Sequence, residues 1–306
     1  MSEASPPTWK IWWKTLRPAT LTAGVAPVLV GSALARADGM LDWGRAVVFL
    51  VGFVLLQVAS NLINDAADFR MGADGADRLG PPRAAQQGWL GEQELTRAAT
   101  LCLAIAGALT LHLARQGGWP VLVGGVLAVA GAISYTAGPV PMAYRGGGDV
   151  MVFFFFGLTA VCGSYYVQTG SIPAHGVIAA AIMGMLSTAI LVVNNLRDRH
   201  SDARAGKRTL VARFGERFGR LEYALLVLGA YAVLAASGLV LGRASWALPL
   251  LSLPWALRLV RAVWRTDGAA LNPLLGKTAL LGFAFALLWV ASLAPAFDSL
   301  LLHLRG

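Results

Sequence analysis

Two groups of Asn and Asp stand where long apolar segments end. The first reads Asn61-Leu-Ile-Asn64-Asp65-Ala-Ala-Asp68 and the second Asn194-Asn195-Leu-Arg-Asp198-Arg-His-Ser-Asp202. On a helix, Asn61, Asn64, Asp65 and Asp68 fall at positions 0, 3, 4 and 7, and Asn194, Asn195, Asp198 and Asp202 at 0, 1, 4 and 8. Each set therefore projects from one helix face. Carboxylates grouped this way at membrane depth repel one another and resist losing water, so they persist only with a cation between them. A hard divalent ion such as Mg2+, held by a few carboxylates together with phosphate oxygens, meets that need. Two such clusters on opposite sides of one cavity can hold a diphosphate between two metal ions.

The elements that must carry these side chains are membrane spans. The chain has 306 residues, 57% hydrophobic and 13% charged, with a mean hydropathy of +0.62. Apolar stretches of about 20 residues, enough to cross a bilayer, recur along it. Nine are expected, near 18–37, 43–63, 97–115, 119–138, 149–168, 174–195, 222–241, 244–263 and 276–297. The fold class is all-α, a polytopic bundle around a central cavity. Residues 1–15 form a short polar tail without the pattern of a cleavable signal, and 16–306 form one transmembrane domain. The net charge of +9 does not point to nucleic acid, because its placement is one-sided. With the N-terminus inside, twenty of the 25 Lys and Arg fall on the cytoplasmic side, the positive-inside bias. Both acidic clusters then face the cytoplasm of a bacterial-type inner membrane. Cys102 and Cys162 lie in apolar segments and read as packing residues.

Two connections on that inner side are long and polar, about 69–96 and about 196–221, and each follows an acidic cluster. They are expected to cap the cavity. The first carries Asp74, Arg78 and Arg83, with Gly72, Gly75, Gly80 and Pro81-Pro82 to turn the chain. Arg78 and Arg83 suit bidentate grip on phosphate oxygens. The second carries Lys207 and Arg208 after Gly206. A third stretch, Tyr135 to Asp149, holds Tyr135, Tyr144 and Arg145 as candidate substrate contacts. A fourth, Leu271-Asn-Pro-Leu-Leu-Gly-Lys277-Thr278, offers Lys277, which suits phosphate binding and a snorkelling position at the interface equally well. The run Phe153–Phe156, with Tyr165 and Tyr166, supplies either cation-stabilising ring faces or a lipid-facing surface.

At these residues the sequence resembles the UbiA superfamily of intramembrane aromatic prenyltransferases. Asn61, Asn64, Asp65 and Asp68 match its Asn/Asp-rich first motif, and Asp198 and Asp202 its DxxxD second motif. Finer cues resemble the branch that uses 1,4-dihydroxy-2-naphthoate. They are NDxxDxxxGxD followed by GPxR (Gly80 to Arg83), YTxGPxPxxYRGxGD (Tyr135 to Asp149), NNxRDxxSDxxxGKxTLVxRxG (Asn194 to Gly215) and LNPxLGKTA (Leu271 to Ala279). Gly72 departs from the pattern, since many members carry Asp there, and Asp74 is the candidate substitute.

The resemblance implies a UbiA-type fold and transfer of a polyprenyl group from polyprenyl diphosphate to the naphthoate. CO2 and diphosphate would be lost and a demethylmenaquinone formed. It implies Asp65, Asp68, Asp198 and Asp202 as catalytic residues, and Mg2+, two ions, held by Asn64, Asp65, Asp68, Asp74, Asp198 and Asp202. It implies Asn61, Asn64, Arg78, Arg83, Tyr135, Tyr144, Arg145, Asn195, Lys207 and Lys277 around the substrates. The nucleophile is the acceptor's own ring, so no Ser, Cys or His is needed. A sibling enzyme using 4-hydroxybenzoate, homogentisate or another aromatic acceptor stays open. So does a cation-coupled transporter, although such proteins tend to carry their charges at mid-span.

Overall fold

A computed structural model describes residues 6–72 and 78–294. A short helix α1 (Thr8–Leu16) precedes α2 (Pro18–Ala37), α3 (Trp43–Arg70), α4 (Glu92–Gly117) and α5 (Trp119–Ser134). The next span is composite: α6 (Gly148–Val152), a π-helical stretch (Phe153–Cys162) and α7 (Gly163–Thr169). Then come α8 (Ala174–Arg204), the short α9 (Leu210–Phe214), α10 (Glu216–Val240), 3₁₀ turns over Ala244–Ser252 leading into α11 (Leu253–Arg265), and α12 (Asn272–Ser292). Among the described residues eight segments are long and apolar enough to cross a membrane; the expected span at 119–138 is the shorter, 16-residue α5. The chain is a multi-pass membrane protein.

Three boundaries differ from expectation, and each difference bears on function. The second span runs on to Arg70 and the sixth to Arg204, so both acidic stretches lie on helices as their spacing implied, and Asp198 and Asp202 are on α8 where a loop from about 196 was expected. The segment 196–221 is mostly helical, in the end of α8, in α9 and in the start of α10. The region 1–15 contains most of α1, whose Ile11 and Thr15 are buried while Trp9 and Trp13 are exposed beside Lys10 and Lys14. Tryptophan and lysine together are typical of a membrane interface.

Helix α8 is the axis of the bundle, with a large share of its residues buried. It packs against α10 on one side and the π-helical stretch on the other. Glycine permits the second approach. A Cβ on Gly157 would lie 2.5 Å from the Ala180 carbonyl oxygen and 3.0 Å from Gly184 Cα. Close contact of small residues is what holds helices together in lipid, where apolar burial gains little. The end of the bundle away from the acidic stretches is laced by polar contacts. Asp42 N–H donates to Gln168 (2.8 Å), Arg45 to Gln116 (2.9 Å), and Asp38 accepts from Tyr165 (2.6 Å) and lies 3.1 Å from His175. Cys102 and Cys162 are free thiols.

Gly157→Val should lower stability by about 1–3 kcal/mol through overpacking against α8. Gly124→Ala on α5, where an added Cβ meets nothing within 4 Å, should not lower it. Thermal unfolding of both variants in one detergent checks this, and equal midpoints would contradict the packing described.

Candidate active site

One large cavity, about 530 Å³, opens among α1, α2, α3, the 78–83 segment, α5, the composite span, α8 and α12. Its character changes along its length. Toward one end stand Lys14, Arg17, Arg78, Arg83, Arg197 and Lys207; elsewhere Phe53, Leu56, Ala128, Ala132, Met151, Val152, Phe155 and Phe156 line it. A cationic mouth over apolar walls fits an anion carrying a long hydrocarbon.

The last turns of α3 build one side. All four expected side chains, Asn61, Asn64, Asp65 and Asp68, are buried. Asn61 donates to the Leu16 carbonyl and to Thr20 (both 3.2 Å), joining α3 to the α1–α2 corner. Asn64 accepts from Arg17 (3.0 Å) and donates to Thr136 (3.0 Å). Asp65 accepts the backbone N–H groups of Ala84 (3.2 Å) and Ala85 (3.4 Å), so it fixes the capping segment from below. Asp68 accepts from Tyr144 (2.8 Å) and pairs with Arg83 (2.9 Å), which also donates to the Asn64 carbonyl (3.1 Å).

The end of α8 builds the other side. Asn195, Asp198 and Asp202 are buried. Arg197 grips both oxygens of Asp198 (2.7 and 2.5 Å) and also reaches Asn194 (2.7 Å) and Asn272 (2.8 Å). Asn272 in turn donates to the Leu79 carbonyl (2.8 Å), tying α12 to the capping segment. The two sides meet at Lys207. Its Nζ lies 3.8 Å from Asp68 and 3.9 Å from Asp202, and 5.3 Å from the centre of the Tyr144 ring. Carboxylates 134 residues apart in sequence thus share one ammonium.

Arg17 is the most constrained of the cations. It ends α1 and begins α2 with φ 54 and ψ 68, the one non-glycine among the described residues at positive φ. That conformation costs about 1–3 kcal/mol and tends to persist at functional sites. Burial, and then the charge of Arg83, press its pKa downward. An anion in the cavity would relieve both.

Not every expected residue converges. Asn61, Asn64, Asp65, Arg78, Arg83, Tyr135, Asn195 and Lys207 line the cavity; Asp68, Asp198, Asp202 and Tyr144 stand directly behind that wall, bonded to it. Arg145 and Lys277 are exposed and line no part of it. Asp74 lies outside the described residues. Within the aromatic run, Phe155 and Phe156 face the cavity, Phe153 packs on Gly184 and Phe154 is exposed. Tyr165 and Tyr166 bond to Asp38 and Gly117 at the far end. Arg17, Thr136, Arg197 and Asn272 join the site without a sequence signal of their own. Arg17 and Arg197 are indistinguishable in sequence from the general excess of basic residues on one side. Asn272 lies in the same stretch as Lys277, and nothing in its residue type distinguishes it there.

The donor set suits a hard divalent ion. It consists of oxygens alone, and Asp202 Oδ2 is buried with no hydrogen-bond partner. Among the described residues no three His, Cys, Asp or Glu side chains group as a cage of their own.

Comparison with known proteins gives the same fold and family. Residues 24–275 match the model of the UbiA prenyltransferase family. The chain is 38% identical over 288 residues to the 1,4-dihydroxy-2-naphthoate octaprenyltransferase of Escherichia coli, covering 91% of this chain and 93% of that one. Among solved structures it superposes on the UbiA homolog from Aeropyrum pernix K1 with TM-score 0.69 at 17% identity, covering 90% and 97% of the two chains. On the UbiA homolog from Archaeoglobus fulgidus bound to DMAPP and Mg2+ it superposes with TM-score 0.66 at 16% identity, covering 92% and 99%. A membrane bundle with two buried acidic stretches joined across one cavity, matched by that family along most of its length, belongs to the UbiA prenyltransferase family.

Proposed function

We propose that this chain transfers a polyprenyl group from polyprenyl diphosphate to 1,4-dihydroxy-2-naphthoate, releasing CO2 and diphosphate and giving a demethylmenaquinol, the reduced form of demethylmenaquinone. The observation that carries the reading is the meeting of Asp68 and Asp202 at Lys207, beside a ring of arginines, at the mouth of an otherwise apolar cavity. A transporter has no need of so many fixed cations facing an apolar chamber. The curated Escherichia coli relative supports the naphthoate as acceptor. The excess of Lys and Arg on the motif side supports placing that side, and the N-terminus, in the cytoplasm of a bacterial inner membrane.

The chain's own groups have separable tasks. Arg17, Arg78, Arg83 and Lys207 hold and neutralise the diphosphate, so that negative charge developing on the leaving group meets fixed donors. Asn64, Asp65, Asp68, Asp198 and Asp202, with Asp74, would hold two Mg2+ ions. Those ions, when bound, would supply Lewis-acid stabilisation of the leaving diphosphate. Phe155 and Phe156 present ring faces to the allylic cation left behind, an attraction of about 0.5–2 kcal/mol each. The apolar walls exclude water that would otherwise quench that cation. The acceptor's electron-rich ring attacks through the carbon bearing its carboxylate.

Two outcomes test this. Purified protein should convert naphthoate in preference to 4-hydroxybenzoate or homogentisate; turnover should stop on chelation and return with Mg2+. Asp68→Asn and Asp198→Asn should each cost about 100-fold or more in kcat. Clear turnover of hydroxybenzoate without naphthoate would overturn the acceptor, and full activity of both variants would overturn the metal site. Separately, Arg17→Gly removes the guanidinium while suiting the left-handed backbone. Binding titrations should show prenyl diphosphate affinity reduced about 10-fold or more, about 1.4 kcal/mol, without loss of folded protein. Unchanged affinity would remove Arg17 from the diphosphate site.

A further inference from the structure

Asp149 is the second residue of α6, lines the cavity, and is only 5% exposed. Neither of its carboxylate oxygens accepts a hydrogen bond from any other residue. Buried polar groups are almost always bonded, and an unpartnered buried carboxylate is costly. Its situation differs from that of the other acids. Asp65, also in the wall, spends both oxygens on the Ala84 and Ala85 N–H groups. Asp202 and Glu222 each keep one unpartnered oxygen, but neither lines the cavity. Asp149 is therefore, among the described residues, the one cavity-lining carboxylate with neither oxygen bonded to another residue. What it lacks is a donor, and the place for that donor is the cavity.

The surroundings narrow the donor's chemistry. Met151, Val152 and Phe155 follow it along the same cavity-lining span, and Leu191 lies 3.6 Å from where a Cβ on the adjacent Gly148 would be; all four are apolar. Glu222 of α10 also interacts with Asp149 electrostatically but does not line the cavity. The Tyr135 hydroxyl stands close by, 3.7 Å from where a Cβ on Gly148 would be. A diphosphate or a carboxylate would be repelled by Asp149 and drawn to the cationic mouth instead. A flat ring bearing a hydroxyl fits: the ring against apolar side chains, the O–H on the carboxylate, and any acidic group of the ring toward Arg17 and Lys207.

We infer that Asp149 binds a ring hydroxyl of the aromatic acceptor and takes its proton as the ring carbon attacks. This rests on the prenyl-transfer reading above. As the ring carbon bonds to the allylic carbon, the allylic C–O bond breaks and its electron pair leaves with the diphosphate. The hydroxyl proton passes to Asp149 and its oxygen becomes a carbonyl. Cleavage of the bond to the ring carboxylate then releases CO2 and returns the electron pair to the ring. The resulting enolate oxygen takes the proton back, regenerating the hydroxyl and the Asp149 carboxylate. Nothing is oxidised, and no further reactant is required.

The test uses the full chain in lipid nanodiscs with farnesyl diphosphate and 1,4-dihydroxy-2-naphthoate. D149N should lower kcat about 100-fold or more, the usual scale for loss of a general base. It should leave farnesyl diphosphate affinity within about 3-fold, and Asp149→Glu should restore part of the rate. Because D149N removes an unpaired buried charge, its unfolding midpoint should equal or exceed that of the wild type. A D149N rate within about 3-fold of wild type would overturn the assignment. So would loss of diphosphate binding and of folded protein in step with turnover, which marks a structural role. Should the wild type prefer another phenolic acceptor, the naphthoate assignment falls. Asp149 is then judged by the same ratio on that acceptor.

Discussion

Acidic side chains at the ends of two long membrane helices repel one another in surroundings that solvate them poorly. Bringing them to one place requires positive charge between them. Here Lys207 stands between Asp68 of α3 and Asp202 of α8, with Arg83 on the first and Arg197 on Asp198. Much of the architecture serves that meeting. The two helices extend past the apolar spans to deliver the carboxylates, and the capping segments fold back to supply the cations. Asp65 and Asn272 hold the capping segment to α3 and α12. Removing one partner from such a buried pair costs about 3–5 kcal/mol, because a lone charge remains. The same electrostatics that stabilise the cluster make it receptive to a multiply charged ligand and its counter-ions.

The opposite wall solves a different problem. A prenyl chain needs apolar surface and a reactive cation needs shelter from water. The composite span provides both through its π-helical stretch, a form rarely seen at such length and often found at functional sites. Successive residues turn through a smaller angle there than in an α-helix, which brings Phe155 and its neighbour Phe156 to the same cavity. Gly157 keeps the stretch tight against α8, and Gly131 of α5 leaves room for the Phe155 ring. The cavity thus joins a polar, cationic end to an apolar one.

Much of this was legible in the sequence, because the signals were local. The helical spacing of Asn61, Asn64, Asp65 and Asp68, and of Asn195, Asp198 and Asp202, foretold one face for each set. The shared sidedness of the two stretches followed from charge. What could not be read was long-range or conformational. The positive φ of Arg17 leaves no trace in composition. The partnership of Arg197 with Asn272 depends on how α8 meets α12. The division of the Phe run among cavity, packing and lipid depends on a π-helix that periodicity alone does not announce. Lys277 and Arg145 lay inside strong motifs, yet both side chains are exposed, since a motif fixes position and not direction.

The central claim is that the stretch Asn61–Asp68 and the stretch Asp198–Lys207 act upon one diphosphate. The most direct measurement is an experimental structure of the full chain with Mg2+ and a non-hydrolysable prenyl diphosphate analogue. The account predicts one diphosphate at the cavity mouth, reached from both stretches, with its hydrocarbon tail running past Phe155 and Phe156. A diphosphate bound by a single stretch, or lodged elsewhere in the bundle, would contradict it.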